Sequence, residues 1–162
     1  MIAFSLDDCG AHLVFSDKVL LHFAQHQQRK RRDVEAGGQL FARLTPFEVF
    51  IEEATGPRLS DRRARMSYVP DRLAERAEIR EKFSEGLHYV GDWHTHPEKN
   101  AKPSSIDKAT IADCTQKSSH RLQGFILAVV GNDNLPECLH VSFYPRVTGD
   151  EAWMTGLSLS TS

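Results

Sequence analysis

An α/β fold built on one mixed sheet is predicted by three features of this 162-residue chain. Residues 39–44 and 48–54 are rich in strand formers and flank a short Thr45-Pro46 connection, which makes them an antiparallel hairpin. Residues 124–130, Gly-Phe-Ile-Leu-Ala-Val-Val, are apolar without alternation and read as a central strand buried on both faces. Helical patterns separate the other strand-like segments, so roughly six strands and about three helices form a sheet flanked by helices.

Residues 1–10 are expected to be a short arm and residues 12–15 a brief strand. Ser16 then caps a helix with Asp17 in its first turn. Val19, Leu20, Phe23 and Ala24 follow at helical spacing. This helix is expected to run into Arg29, Lys30, Arg31 and Arg32, cations that suit a helix C-terminus. The pair Gly37-Gly38 permits close backbone approach or a positive φ ahead of the hairpin. Gly56-Pro57 opens an irregular stretch that carries Arg58, Arg62, Arg63 and Arg65, and residues 66–69 read as a strand.

Pro70 and Asp71 start a second helix through Phe83, whose thin apolar stripe places it on the surface. Gly86 ends it in the C′ position. Residues 87–94 form the next strand. Leu87, Tyr89, Gly91 and Trp93 are assigned to one face, and His88, Val90, Asp92 and His94 to the other. A third helix runs from Ser104 to about Lys117. Residues 131–134 are a turn into a strand over 138–144, which Pro145 stops. Residues 1–162 are expected to be a single domain with a frayed tail from about 149.

Apolar residues make up 40% and charged residues 26%, normal for a globule of a size that buries ~70% of its unfolded surface. A net charge of −2 gives no general drive toward nucleic acid or an anionic membrane. Cys9, Cys114 and Cys138 are scattered and form no Cys-x-x-Cys, so reduced thiols in a cytoplasm are expected. The N-terminus lacks the basic start and apolar run of a secretory signal. No segment approaches the ~18 apolar residues that span a bilayer.

The chemistry concentrates in one stretch, His94-Thr95-His96, then seven residues, then Ser104-x-x-Asp107. Side chains two apart on an extended chain point the same way, so His94 and His96 offer two imidazoles to one point. A loop carrying Pro97 and Pro103 brings Asp107 round to them. Two His and one Asp leave a tetrahedral zinc with one open position, the catalytic arrangement. Ser104 and Asp107 also read as an ordinary helix start, with Ser104 as N-cap. The two readings agree, because a fixed helix start fixes Asp107. Asp92 is either a partner to an imidazole or a strand-end carboxylate facing solvent, and His88 a packed or surface histidine. For the base that amide hydrolysis needs, spacing leaves Glu35, Glu52, Glu53 and Glu98 open.

The full string resembles the JAMM (MPN-plus, JAB/Mov34/PAD-1) metalloprotease signature, a distant Glu followed by His-Ser/Thr-His-x7-Ser-x-x-Asp. Glu35-Ala36-Gly37-Gly38 looks like the family's early Glu-x-Gly-Gly strand entry, and the likeness extends from about Ala11 to Tyr144. The resemblance implies a cytidine-deaminase-like fold with a curved mixed sheet between helices. It implies zinc held by His94, His96 and Asp107, Glu35 as the base and Ser104 as donor to the oxyanion. It implies hydrolysis after an extended C-terminal tail of a ubiquitin-like or conjugated protein, laid as an added strand near residues 56–69. Trp93 is expected to pack beneath the site.

The phrase Gly86-Leu87-His88-Tyr89-Val90-Gly91-Asp92-Trp93-His94 is similar to that of stand-alone deconjugating peptidases of bacterial antiviral islands. Those accompany a ubiquitin-transfer-like enzyme and a cyclic-nucleotide synthase, a nucleotidyltransferase, as partners. C-terminal processing of a sulfur-carrier protein and a non-catalytic MPN scaffold are the alternative readings. A zinc deaminase fits poorly, because His-x-Glu and Pro-Cys-x-x-Cys are absent.

Overall fold

A computed structural model describes residues 1–6, 11–117, 124–146 and 155–156. Its strands are β1 (Ile2–Ser5), β2 (His12–Phe15), β3 (Gly37–Leu44), β4 (Glu48–Ala54), β5 (Arg62–Ala64), β6 (Ser67–Val69), β7 (His88–Thr95), β8 (Gly124–Val130), β9 (Leu139–Pro145) and β10 (Thr155–Gly156). Its helices are α1 (Asp17–His26), α2 (Arg72–Ser84) and α3 (Ser105–Lys117). Eight strands form one curved sheet in the order β1-β2-β4-β3-β7-β8-β9-β10, while β5 and β6 pair apart from it. The pairs β2–β4 and β7–β8 are parallel and the others antiparallel, so the sheet is mixed as predicted.

Helix α1 starts where expected, with the Ser16 side chain accepting from Val19 N–H at 3.3 Å. Val19 and Phe23 turn inward and join Phe15, Leu40, Ile51 and Trp93 in the larger core. Trp93 is buried, as predicted, and its indole N–H donates to the Thr55 carbonyl at 2.9 Å. The smaller core, on Ile111, Phe125, Leu127 and Val129, includes α3 and β8. Asp71 caps α2 by accepting from Leu73 and Ala74 N–H groups, and Gly86 follows its C-cap at φ 82°.

Several expectations are corrected. The N-terminal arm is in part a strand, because Ile2 to Ser5 pair antiparallel with β2. Helix α1 ends at His26, so the basic run 29–32 lies in the following turn and caps nothing. The arginine stretch is not wholly irregular, since Arg62 to Ala64 form a hairpin with Ser67 to Val69. On surface helix α2 the one buried side chain is an acid, Glu75. The face assignment in β7 fails at a bulge, where Leu40 pairs with Gly91 but Phe41 with Tyr89, leaving Val90 extra. Val90 therefore shares the larger core with Trp93, and Tyr89 packs on the other. Cys114 and Cys138 are free, whereas Cys9 and all of the tail from 149 except residues 155–156 lie outside the described residues. Among the described residues no helix is long and apolar enough to cross a membrane.

The glycine pair that opens β3 serves close approach rather than positive φ. A Cβ on Gly38 would stand 1.8 Å from the Thr55 carbonyl oxygen. Gly38→Ala is therefore expected to cost about 2–3 kcal/mol, because backbone must shift to admit the methyl. Urea denaturation checks this, and an unchanged midpoint would refute the reading.

Candidate metal centre

The centre forms where β3 and β7 begin and end side by side. Gly37 pairs with His94, and the ladder continues as Thr95 N–H donates to Ala36 O at 2.8 Å. Ala36 N–H in turn donates to Thr95 Oγ1 at 3.0 Å. Glu35 thus stands next to the histidine pair, although about sixty residues separate them in sequence. The parallel partner β8 fixes the other side, with His94 opposite Val129 and His96 N–H donating to Val130 O at 2.9 Å.

Asp107 arrives through the helix start. Ser104 N–H donates to Asp107 Oδ2 at 2.6 Å, and Asp107 N–H donates to Ser104 Oγ at 3.2 Å. This reciprocal capping box holds the carboxylate in place. His94 Nε2 lies 3.3 Å and His96 Nε2 3.5 Å from the same Asp107 oxygen. The ligand atoms of Glu35, His94 and His96 lie within 4.8 Å of one another. Two imidazoles and two carboxylates therefore converge, a donor set compatible with a metal ion. His94 Nε2 is buried without a hydrogen-bond partner, as befits a nitrogen that ligates a cation.

Electrostatics follow from this crowding. Burial pushes the Glu35 carboxyl up to about 7; His96 opposes the shift, while Asp107 and Glu98 reinforce it. Burial would raise Asp107 as well, but the imidazoles of His94 and His96 beside it prevail and hold it well below the usual carboxylate range. The hydrogen bond with Asp107 raises His96.

The other sequence candidates differ in how near they come to the centre. Glu52 pairs with Arg43 at 2.6 Å, and Glu53 with Lys18 and, at 2.8 Å, with Lys82. Glu98 is exposed, with Oε2 3.7 Å from His96 Nδ1. His88 packs against Phe83 at 5.6 Å between ring centroids, away from the centre. Asp92 does not face open solvent. It lines a cavity of about 340 Å³ shared with Glu35, His94 and Asp107, and Tyr89 Oη donates to it at 2.9 Å. The β7 bulge causes this, by putting Asp92 on the Tyr89 face. Burial, with Glu75 adding to it, pushes the Asp92 carboxyl up to about 7. Sequence reasoning missed Glu75 as a cavity residue, and nothing in the polar helix pattern marks it.

These observations define a mixed-sheet protein with a His-His-carboxylate centre at a strand end. The chain belongs to the prokaryotic JAB family: the family model described as prokaryotic homologs of the JAB domain matches residues 16–144. A Pseudomonas aeruginosa (strain BWHPSA011 / Pa011) protein named CD-NTase/cGAS isopeptidase is 37% identical over 112 residues, 67% of this chain and 71% of the relative. One of the same name from Escherichia coli (strain TW11681) is 27% identical over 105 residues, 63% of this chain and 67% of the relative. The solution structure of protein DSY2949 from Desulfitobacterium hafniense has a TM-score of 0.61 at 15% identity, covering 91% of this chain and 89% of that one. It shares the fold.

Proposed function

We propose that this chain is a zinc-dependent isopeptidase that frees a CD-NTase, a cGAS-like nucleotidyltransferase, from conjugates made through its C-terminal tail. The observation that carries this reading is the convergence of Glu35, His94, His96 and Asp107 at one end of an open cavity. The names of the two relatives support the substrate class.

In this reading His94, His96 and Asp107 hold the ion. When bound, zinc supplies a Lewis acid and lowers the pKa of water toward neutrality. Glu35, desolvated beside the histidines, accepts the proton of the attacking water as the C–O bond forms. It then returns that proton to the leaving amine as the C–N bond breaks. Ser104 Oγ accepts from Asp107 N–H, which leaves its hydroxyl proton free to donate to the developing oxyanion. The tail enters along the cavity, whose rim carries Tyr68, Val69 and Ile106. The β5–β6 hairpin abuts Glu35, whose N–H donates to Ala64 O at 2.8 Å, and receives the tail as an added strand.

The direct test is a fusion of a small folded protein after the C-terminal tail of a CD-NTase. The chain is expected to cut it at the tail's end, with ubiquitin chains poor substrates. Rapid cleavage of ubiquitin chains with no action on the CD-NTase fusion would overturn the substrate assignment. Ser104→Ala separates the two duties of that residue. The cap is worth about 1 kcal/mol of stability, whereas an oxyanion donor is worth about 10²–10³ in turnover. Unchanged turnover with a lowered melting temperature would leave Ser104 a cap alone.

A further inference from the structure

We propose that the run Arg29, Lys30, Arg31 and Arg32 and the arginines of the β5 hairpin, Arg62, Arg63 and Arg65, form one docking face for an acidic patch on the protein substrate. The proposal rests on the isopeptidase reading for its occupant, but its geometry stands alone.

The two segments lie some thirty residues apart in sequence and are tied together by side chains that bond backbone carbonyls. Gln28 Nε2 donates to Arg65 O at 2.8 Å, and the Arg65 guanidinium donates to Arg31 O. Arg63 Nε donates to Glu35 O at 2.7 Å, which pins the basic face against the metal centre. All of these cations are exposed. Among the described residues none of them lies within salt-bridge distance of a carboxylate, and Arg29 bonds an amide oxygen, Gln27 Oε1, at 2.7 Å. Elsewhere on the molecule cations do find acids, as in Arg43–Glu52, Arg58–Glu78, Arg72–Glu75 and Lys82–Glu53.

Folding therefore gathers like charges that repel one another, and an anionic partner relieves that repulsion. Seven cations and Asp33 give the face a charge of +6, which leaves −8 on the rest of a chain whose net charge is −2. A groove of about 570 Å³ runs through it, lined by His26, Arg29, Lys30, Arg32, Asp33 and Arg63 among others. The same imbalance selects the partner. A DNA duplex carries a charge every ~1.7 Å along its axis, and a long nucleic acid would run off the face onto acidic surface. A protein with a bounded acidic patch would not. Complementary charge of this kind raises the rate of encounter and fixes orientation, here beside the centre that cuts.

The test uses the full chain and fluorescence anisotropy with three probes: a short Asp/Glu-rich peptide, an uncharged Gln/Gly peptide, and single-stranded DNA of equal length. The variant is Lys30→Gln/Arg31→Gln/Arg32→Gln/Arg62→Gln, which changes side chains that bond no other described residue. Its melting temperature is expected to match the native chain; if it falls, the Lys30→Gln/Arg31→Gln and Arg32→Gln/Arg62→Gln halves carry the comparison. The acidic peptide is expected to bind the native chain, to lose affinity with added salt, and to bind the variant at least about tenfold more weakly. On a CD-NTase fusion the Lys30→Gln/Arg31→Gln half, which lies outside the hairpin that receives the tail, is expected to raise KM and leave kcat unchanged. Equal binding of the acidic peptide by native chain and variant would overturn the proposal, as would tighter binding of the DNA than of the peptide. Failure of the native chain to cut any fusion would instead sink the isopeptidase reading and leave the peptide result standing.

Discussion

The native chain, purified without chelator, is expected to carry about one zinc ion per molecule, and His94→Ala is expected to lose it. The native donors converge without rearrangement: both imidazole Nε2 atoms lie within 3.5 Å of Asp107 Oδ2. Removing an outer partner of a metal ligand typically costs 10–100-fold in affinity, and removing a ligand itself should cost at least about as much. Asp107→Asn is the sharper companion to His94→Ala. It keeps an acceptor for the Ser104 N–H, so the helix start survives, but it deletes the anionic ligand. Metal loss with an intact fold would therefore assign the carboxylate to the ion. Because binding to the native state adds to stability, chelator should lower the melting temperature of the native chain and leave both variants unmoved. Full zinc by elemental analysis in His94→Ala would mean that the ligand set is wrong.

What was legible in the sequence, and what was not, divides along physical lines. The convergence of His94, His96 and Asp107 was legible because each step is local: an extended i, i+2 pair, a loop, and a capped helix start. Helix α1 and the β3–β4 hairpin were legible for the same reason, with Ser16 and Thr45-Pro46 as their signals. The faces of β7 were not, because one extra residue at Val90 reverses the alternation, and nothing in Tyr89-Val90-Gly91-Asp92 announces it apart from the glycine. The β5–β6 hairpin has three-residue strands rich in arginine and carries little apolar pattern. Its place is set by tertiary bonds to Glu35 and Gln28. Glu75 is buried where α2 lines the cavity, and as one of several acids on a polar helix it is hidden by the helix pattern. Spacing alone left four glutamates as candidates for the base. The register of β3 on β7 brings Glu35 within 4.8 Å of both histidines, and that is a long-range fact.

Glu35→Gln is expected to abolish hydrolysis while leaving zinc bound and the fold unchanged. Glutamine keeps the size and the hydrogen-bonding capacity of the side chain and deletes only its proton affinity. General acid–base help is worth about 10²–10⁴ in rate, and one group here serves both proton transfers, so the loss should sit at the upper end. The backbone around it should hold, because Glu35 N–H and C=O, bonded to Ala64 and Arg63, are untouched. The pH profile gives a second readout. Burial pushes the free carboxyl up to about 7, and a base works only when ionised, so turnover should rise with pH through its pKa. A dication beside Glu35 favours the carboxylate, so in the zinc-loaded enzyme the acid limb should fall below 7. The residual activity of Glu35→Gln should lack that limb. Glu52→Gln and Glu53→Gln should be mild, since those side chains pair with Arg43, Lys18 and Lys82. Glu98 is the informative control, because its Oε2 lies 3.7 Å from His96. A dead Glu98→Gln beside a Glu35→Gln that keeps native turnover would transfer the role of base to Glu98. Zinc content separates that outcome from a ligand effect: because the ligand atom of Glu35 lies within 4.8 Å of those of both histidines, loss of the ion from Glu35→Gln would make Glu35 a ligand.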